Sequence, residues 1–397
     1  MSEAVLVIGD YQQTIAVVRS LSRSGRTVIM GEQSRRAFAT LSRHTRDVWK
    51  HPDPRQTTEF ANALDEFLAQ RHDIRWVFPV GESDLLALIA CRDQRTPRVQ
   101  RAMPAPAVVR ACLDKPTSYA LADELNIPQM QSGTAQSFRQ LQEFVAKIGT
   151  PIVVKCPDST RLIDGRKALI IRSGDAFERS RMMLAAARYP LIVQAWFDGV
   201  RHNCQFAAND GRITAYFEQR VLRTDVPDGT GNGVEGISVA PSPDLYAYSA
   251  ALVERLGYTG VGCAQFLVNI ETGESTYLEL NPRLDATCEL AYRCGIDLPR
   301  LAIEPAASAP GSYPIGRRFH WLLGDLRAMN AQIKSGEPAR SAISTSIRKV
   351  AAAHWQAHYK LTWDWTDPLP SLFMYGHAFI VGGRNYIHTS GAENRSI

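Results

Sequence analysis

The chain changes its secondary-structure grammar near residue 112, and that change limits what it can fold into. Before it, short apolar runs alternate with helical patterns. "AVLVI" (4–8) ends at Gly9, a helical pattern runs from Thr14 to Arg23 with Gly25 as a stop, "TVIMGEQ" reads as a second strand, and "IRWVFPVGESDLLALIACRDQ" reads as strand, loop and helix. This alternation predicts an α/β domain with a parallel sheet over residues 1–112. After Gly9 comes "DYQQT" and not G-x-G-x-x-G, so a dinucleotide site is not expected. The loop ends at Gly9 and Gly81–Glu82 are looser candidates for a small polar ligand, while Arg35, Arg36, Glu82 and Asp84 read as a solvated face.

Past Pro104 and Pro106 the pattern differs. Helices are expected from Lys115 to Leu125 and from Ser137 to Ile148. Then come the strands "TPIVVK" and "KALIIRS", a helix around 175–188, and the strands "PLIVQAWF", "HNCQFAAND" and "RITAYFEQRVLR". Strands joined by turns as short as "NDG" pair antiparallel, so residues 113–305 read as α+β. A mixed segment follows, with "HWLLGDLRAM" helical and "WDWTDPLP" a loop.

With 397 residues, 45% of them apolar, the chain is too long for one ordinary core. Its net charge of +5, from 37 Arg and 8 Lys, is spread along the chain, and no basic stripe interleaved with aromatics marks a nucleic-acid partner. No run of 18 apolar residues predicts a membrane span. The start "MSEAVLVIGDYQQ" lacks the basic region of a leader, and seven cysteines without a CxxC suggest reduced thiols. A cytoplasmic location is the expectation.

The stretch "STYLELNPRLDATCEL" (275–290) carries the chemistry. As a strand it places Tyr277, Glu279 and Asn281 on one face, and Leu278 and Leu280 on the other. Upstream, "CAQFLVN" reads as a partner strand. A turn near Thr272–Gly273 sets Gln265 opposite residues 279–281. Two readings stand: a polar hairpin face open to water, or three oxygen donors for a hard cation such as Mg²⁺. Arg283 follows at once, suited to a phosphate or a developing oxyanion. Among the scarce lysines, Lys155 ends the apolar run "PIVVK" and Lys115 opens a helix, each able to supply a point charge to phosphates. His354 and His358 are four apart, but "HWQAH" has no Glu after the first His, which argues against a zinc-protease site. No G-x-S-x-G is present.

Lys115, Lys155, "LIVQAWFDG", "AQF" and "LELNPR", in that order, resemble the ATP-grasp superfamily, in particular its carbamoyl-phosphate synthetase large-subunit-like carboxylate–amine ligases. "VLVIGD", "VFPVGESDLLAL", "ELNPRLDATCELAYRCGIDLP" and "RRFHWLLGDLRAM" extend the resemblance over about residues 4–330. It implies a pre-ATP-grasp domain (1–112), two lobes (113–189 and 190–310) and a C-terminal extension (311–397). It also implies ATP with Mg²⁺ (or Mn²⁺), and a carboxylate and an amine as small-molecule substrates.

The resemblance assigns roles as well. Lys115 and Lys155 hold phosphates. Gln194, Trp196 and Phe197 belong to the adenine hinge, and His202 lies by the ribose. Gln265, Glu279 and Asn281 hold the metal, while Arg283, Arg220 and Arg223 face the γ-phosphate and acceptor. Related enzymes are often homodimers, which is analogy alone. The chain departs from the pattern at Ala195, where many members carry an acid. It departs again in "CPDSTRLIDGR", whose single glycine leaves Ser159 and Thr160 to make contacts that main-chain amides make elsewhere, and at "LDAT" after Arg283. Two alternatives stay open: an acyl-phosphate-forming enzyme of another type, or a catalytically silent nucleotide-binding regulator.

Overall fold

The computed structural model describes residues 3–33, 37–91, 98–158, 161–163, 165–187, 190–226, 228–334 and 340–380. Arg35, Arg36, Ser159 and Thr160 lie outside them.

The first segment runs β1 (Ala4–Ile8), α1 (Thr14–Arg23), β2 (Thr27–Glu32), β3 (Thr45–Lys50), α2 (Thr57–Gln70), β4 (Ile74–Pro79), α3 (Glu82–Ala90) and β5 (Gln100–Arg101). All its pairings are parallel, in the order β3-β2-β1-β4-β5. Every residue of β1 is buried, as a strand covered on both faces requires, and this explains its unbroken apolar run. The order reverses between β1 and β4. The crevice beyond their carboxyl ends, at Gly9 and Gly81, is where sheets of this kind open to ligands.

Next come α4 (Pro106–Leu113) and α5 (Lys115–Glu124). Asp114 caps α5 by accepting the Thr117 N–H at 3.0 Å. A second sheet is built from β6 (Ser132–Ala135), β7 (Ile152–Lys155), β8 (Ala168–Ile171) and β9 (Leu191–Ala195), antiparallel in the order β6-β9-β7-β8. On its outer face lie α6 (Phe138–Ile148), capped by Ser137, then α7 (Gly174–Arg179) and α8 (Arg181–Ala185). Although the sequence grouping sets residue 190 at the start of the second lobe, β9 completes the first lobe's sheet.

The large sheet combines β10 (Val200–Asn209), β11 (Arg212–Thr224), β12 (Gly233–Ser238), β13 (Gly260–Val268) and β14 (Ser275–Asn281), with α9 (Pro243–Arg255) packed on one face. Beyond β14 lie α10 (Glu289–Arg293), α11 (Leu298–Ile303), β15 (Arg318–His320), α12 (Leu322–Lys334), α13 (Arg340–Gln356), β16 (Tyr359–Lys360) and α14 (Leu369–Ile380). The strand order is β14-β13-β10-β11-β12-β15-β16. Asp210 and Gly211 join β10 to β11 with φ of 48° and 74°, the two left-handed residues of a tight hairpin turn.

One face assignment is corrected. Gln265 pairs with Glu279 but Phe266 pairs with Tyr277, so Leu278 is an unpaired bulge residue. The extra residue shifts the alternation. Tyr277 joins Leu280 and Phe266 in the core beneath the sheet, whereas Glu279 and Asn281 keep the other face. Tyr277 also anchors the preceding helices: its N–H donates to the Pro128 carbonyl at 2.7 Å, and its hydroxyl lies 2.7 Å from the Ser118 hydroxyl of α5. Among the described residues no helix is long and apolar enough to cross a membrane.

Candidate active site

The hairpin β13–β14 sets Gln265 directly opposite Glu279, and Cys263 opposite Asn281. The Asn281 amide donates from Nδ2 to Glu279 Oε1 at 2.8 Å. That bond turns the Asn281 carbonyl oxygen away from the carboxylate, so the pair presents oxygen acceptors together. Burial alone pushes the Glu279 carboxyl up, yet the charge of Lys115, the Asn281 bond and the charges of Lys167 and Lys155 outweigh it and hold the group ionised below its ordinary range.

Those cations come from different parts of the fold. Lys155 ends β7 of the small sheet and is 9% exposed. Burial lowers its ammonium to about 8 against the pull of Glu279, with Lys115 pushing the same way as burial. Lys115 opens α5, and its N–H donates to the Pro157 carbonyl at 3.1 Å, tying the helix start to the loop after β7. Lys167, immediately before β8, was not singled out in the sequence. Burial lowers its pKa first, then the neighbouring Arg283 charge, against Glu82 and Glu279. A lysine closing the glycine-poor loop just ahead of "ALII" was the available signal. Three lysines thus bear on one carboxylate, with Arg283 beside Lys167, an excess of positive charge that suits a polyanion.

The parallel-sheet crevice joins the same place. The Tyr11 hydroxyl lies 2.7 Å from the Ser83 hydroxyl, and the Arg283 charge bears on the Tyr11 phenol. Asp84 is buried, correcting its reading as solvated. It accepts the Gly81 N–H at 2.9 Å, and burial raises its carboxyl to about 7. Asp10 is likewise raised to about 7 by burial, while accepting the Phe38 N–H at 3.1 Å. A Cβ on Gly9 or Gly81 would strike Asp84 or Tyr11 within 2.2 Å.

The other expected residues have these partners. The Trp196 N–H donates to the Pro151 carbonyl at 3.1 Å, so it is not free for an adenine edge, and Arg172 stacks over the indole at 5.1 Å. Phe197 packs where a side chain on Gly199 would sit. Gln194 is buried, with its side chain against the buried Tyr119 phenol. By register His202, Glu218 and Arg220 share the opposite face from Gln265. His202 Nδ1 lies 2.8 Å from the Glu218 carboxylate. Arg223 is drawn into a structural network, bidentate to Asp325 at 2.7 Å and bonded to Glu235 at 2.7 Å. The extra residue between Val221 and Arg223 puts Arg223 on the same face as Arg220, away from Gln265. His354 faces His320, with 3.1 Å between their Nδ1 atoms, while His358 accepts the Arg318 N–H, so His354 and His358 do not converge.

The donor set at Gln265, Glu279 and Asn281, two neutral oxygens and one carboxylate, fits a hard divalent cation that completes its shell with phosphate and water. No cluster of three or more His, Cys, Asp or Glu suited to a metal occurs among the described residues.

No family model matches the chain. Five curated proteins are similar over about half of it, two of them as follows. Pyruvate carboxylase of Pichia angusta is 26% identical over 215 residues, 51% of this chain and 18% of that protein. The arginine-specific large chain of carbamoyl phosphate synthase from Geobacillus stearothermophilus is 22% identical over 196 residues, 48% of this chain and 18% of that one. Among solved structures, N5-carboxyaminoimidazole synthetase from Staphylococcus aureus complexed with ADP superposes with a TM-score of 0.64 at 11% identity, covering 80% of this chain and 82% of that one. The parallel-sheet domain followed by two antiparallel lobes is the ATP-grasp fold that the chain shares with this solved structure. The matched stretch spans less than a fifth of each of these two curated relatives.

Proposed function

We propose that the protein is an ATP- and Mg²⁺-dependent ligase that joins a carboxylate to an amine, releasing ADP and phosphate. One observation carries this reading: Lys115, Lys155 and Lys167 bear on a single ionised Glu279, flanked by Gln265 and Asn281 where two sheets meet, with Arg283 beside Lys167. The relatives point the same way, since their names describe carboxylating and carbamoyl-phosphate-forming enzymes.

In this reading Lys155 and Lys115 bind the terminal phosphates as point charges. Gln265, Glu279 and Asn281 would hold Mg²⁺, which when bound neutralises phosphate charge and fixes its geometry. Arg283 and Lys167 balance the negative charge as the substrate carboxylate oxygen attacks the γ-phosphorus and the bond to the ADP oxygen breaks. The acyl-phosphate so formed has a leaving group that a free carboxylate lacks. The amine nitrogen then attacks the acyl carbon, the C–O bond to phosphate breaks, and the departing phosphate takes the proton the nitrogen sheds. The crevice at Tyr11, Glu82 and Ser83 opens beside Arg283 and is the natural approach for a substrate.

The test is ADP release with ATP, Mg²⁺ and pools of carboxylates and amines, with amide products identified by mass spectrometry. An ATP-dependent amide with equal ADP and phosphate supports the ligase. ADP and phosphate without amide favours an acyl-phosphate-forming enzyme of another type. Binding of nucleotide with no turnover in any pool favours a silent regulator.

A further inference from the structure

The sheet face that bears Glu279 and Gln265 continues as a row of buried amides. Gln265 pairs with Asn203 on β10, and Asn203 pairs with Gln219 on β11. Neighbouring strands lie about 4.8 Å apart, so Asn203 and Gln219 extend the row from Glu279 by roughly 10–15 Å. Asn203 is 2% exposed and Gln219 is fully buried. The Asn203 Oδ1 and Gln219 Oε1 have no hydrogen-bond partner among the described residues, and neither amide atom of Gln205, two residues along β10 on the same face, has one. A polar atom removed from water without a partner costs about 1–3 kcal/mol, and here several share one patch beside the candidate phosphate site.

The orientation of Gln219 follows from its neighbours. Its Nε2 donates to the Thr287 hydroxyl, and that hydroxyl donates to Asp285 Oδ1. The hydroxyl has one proton, and an ionised carboxylate can only accept it. Thr287 therefore takes its second bond as an acceptor, the nitrogen of Gln219 must face it, and the Gln219 oxygen points into the row. Asp285 and Thr287 belong to "LDAT", directly after Arg283, where this chain departs from the family pattern. The relay thus ties the Gln219 oxygen to the loop carrying Arg283.

Resting on the ligase reading, we propose that the Asn203 and Gln219 carbonyl oxygens form the subsite for the acceptor amine, taking N–H bonds from the incoming nitrogen and turning its lone pair toward the acyl carbon. Acceptor oxygens recognise a group rich in N–H and disfavour a carboxylate or phosphate, which brings only lone pairs. Their seclusion from solvent also keeps water, the competing nucleophile, away from the acyl-phosphate.

The experiment uses hydroxylamine as the probe, with the full-length protein, ATP, Mg²⁺ and the carboxylate pool that supports ADP release, following hydroxamate formation and ADP release together. In the wild type hydroxamate formation should saturate with hydroxylamine. Gln219→Met and Asn203→Leu should make it rise linearly, or raise the half-saturating concentration tenfold or more, with the ATP KM and the ADP release rate within twofold. Unfolding midpoints of Gln219→Met and Asn203→Leu within a few degrees of the wild type separate the role from simple misfolding. Unchanged saturation in both Gln219→Met and Asn203→Leu overturns the subsite, as does an equal change in ATP KM. Absence of ADP release from the wild type with every pool overturns the ligase reading itself, and the subsite with it.

Discussion

Arg19 donates from Nε to Asp367 Oδ2 at 2.9 Å, joining residues 348 positions apart in a pair that is almost entirely buried. The same guanidinium donates to the Thr362 and Asp367 carbonyls at 2.8 Å, and Asp367 also accepts from the Ser42 hydroxyl and the Arg43 N–H. Nearby, Arg23 and Arg293 both reach Asp364. The loop "WDWTDP" therefore clasps the first domain to the helix α10. Removing one member of a buried pair leaves the other charge uncompensated, so Asp367→Ala should lower stability by about 3–5 kcal/mol, read from urea unfolding. A loss below 1 kcal/mol would mean the clasp adds little.

Glu279→Gln keeps an acceptor for Asn281 and nearly the same shape, but removes the negative charge among three lysines. ADP release with the productive substrate pair should fall roughly a hundredfold or more, on the scale of losing a preorganised electrostatic group. The unfolding midpoint checks that the fold persists. Near-native turnover would move the metal site away from this hairpin.

Lys155 should couple nucleotide binding to stability in opposite senses. Its ammonium titrates near 8 in the fold and at 10.5 when free. Between those values the unfolded chain holds the proton and the folded one does not, so stability rises with pH across that interval, and the cost of the buried charge is full below about 8. Nucleotide affinity should weaken over the same rise as the charge is lost. Lys155→Met should therefore raise thermal stability at pH 7 while abolishing measurable ATP binding by calorimetry. A variant less stable than the wild type at pH 7 contradicts this.

For Asp84 the sign reverses. The carboxyl moves from 3.8 when free to about 7 in the fold, so between those values the folded chain holds more protons and stability falls as pH rises. Asp10 adds to the same slope. Asp84→Asn can still accept the Gly81 N–H, and should gain stability over the wild type at pH 8 while matching it near pH 4. Thermal melts across this range decide the matter, and parallel profiles would refute the buried-acid account.

Much of this was legible where local pattern decides the outcome. The β1 run, the α1 limits, the Asp210–Gly211 turn and the Gln265–Glu279 register follow from periodicity and turn chemistry. Legibility failed where a distant partner or an extra residue decides. Tyr277 changes face because Leu278 bulges, which strict alternation cannot foresee. Arg223 looked available until Asp325, 102 positions away, engaged it. Asp84 resembled a solvated helix-start acid, and only the packing of Tyr11 over Gly81 encloses it. Lys167 lacked an apolar frame on both sides, and its place at the end of the glycine-poor loop was the one local sign of its role.

The tether between Tyr277 and α5 has a mechanical corollary. Lys115 rides on the helix fastened to the strand of Glu279, whereas Lys155 rides on the small sheet. If the two halves hinge apart, Lys115 travels with Glu279 and Lys155 departs, and the Lys115–Pro157 main-chain bond is the stitch that must part first. Of the two lysines, then, one is a fixture of the floor and the other a jaw that reports whether the mouth is shut.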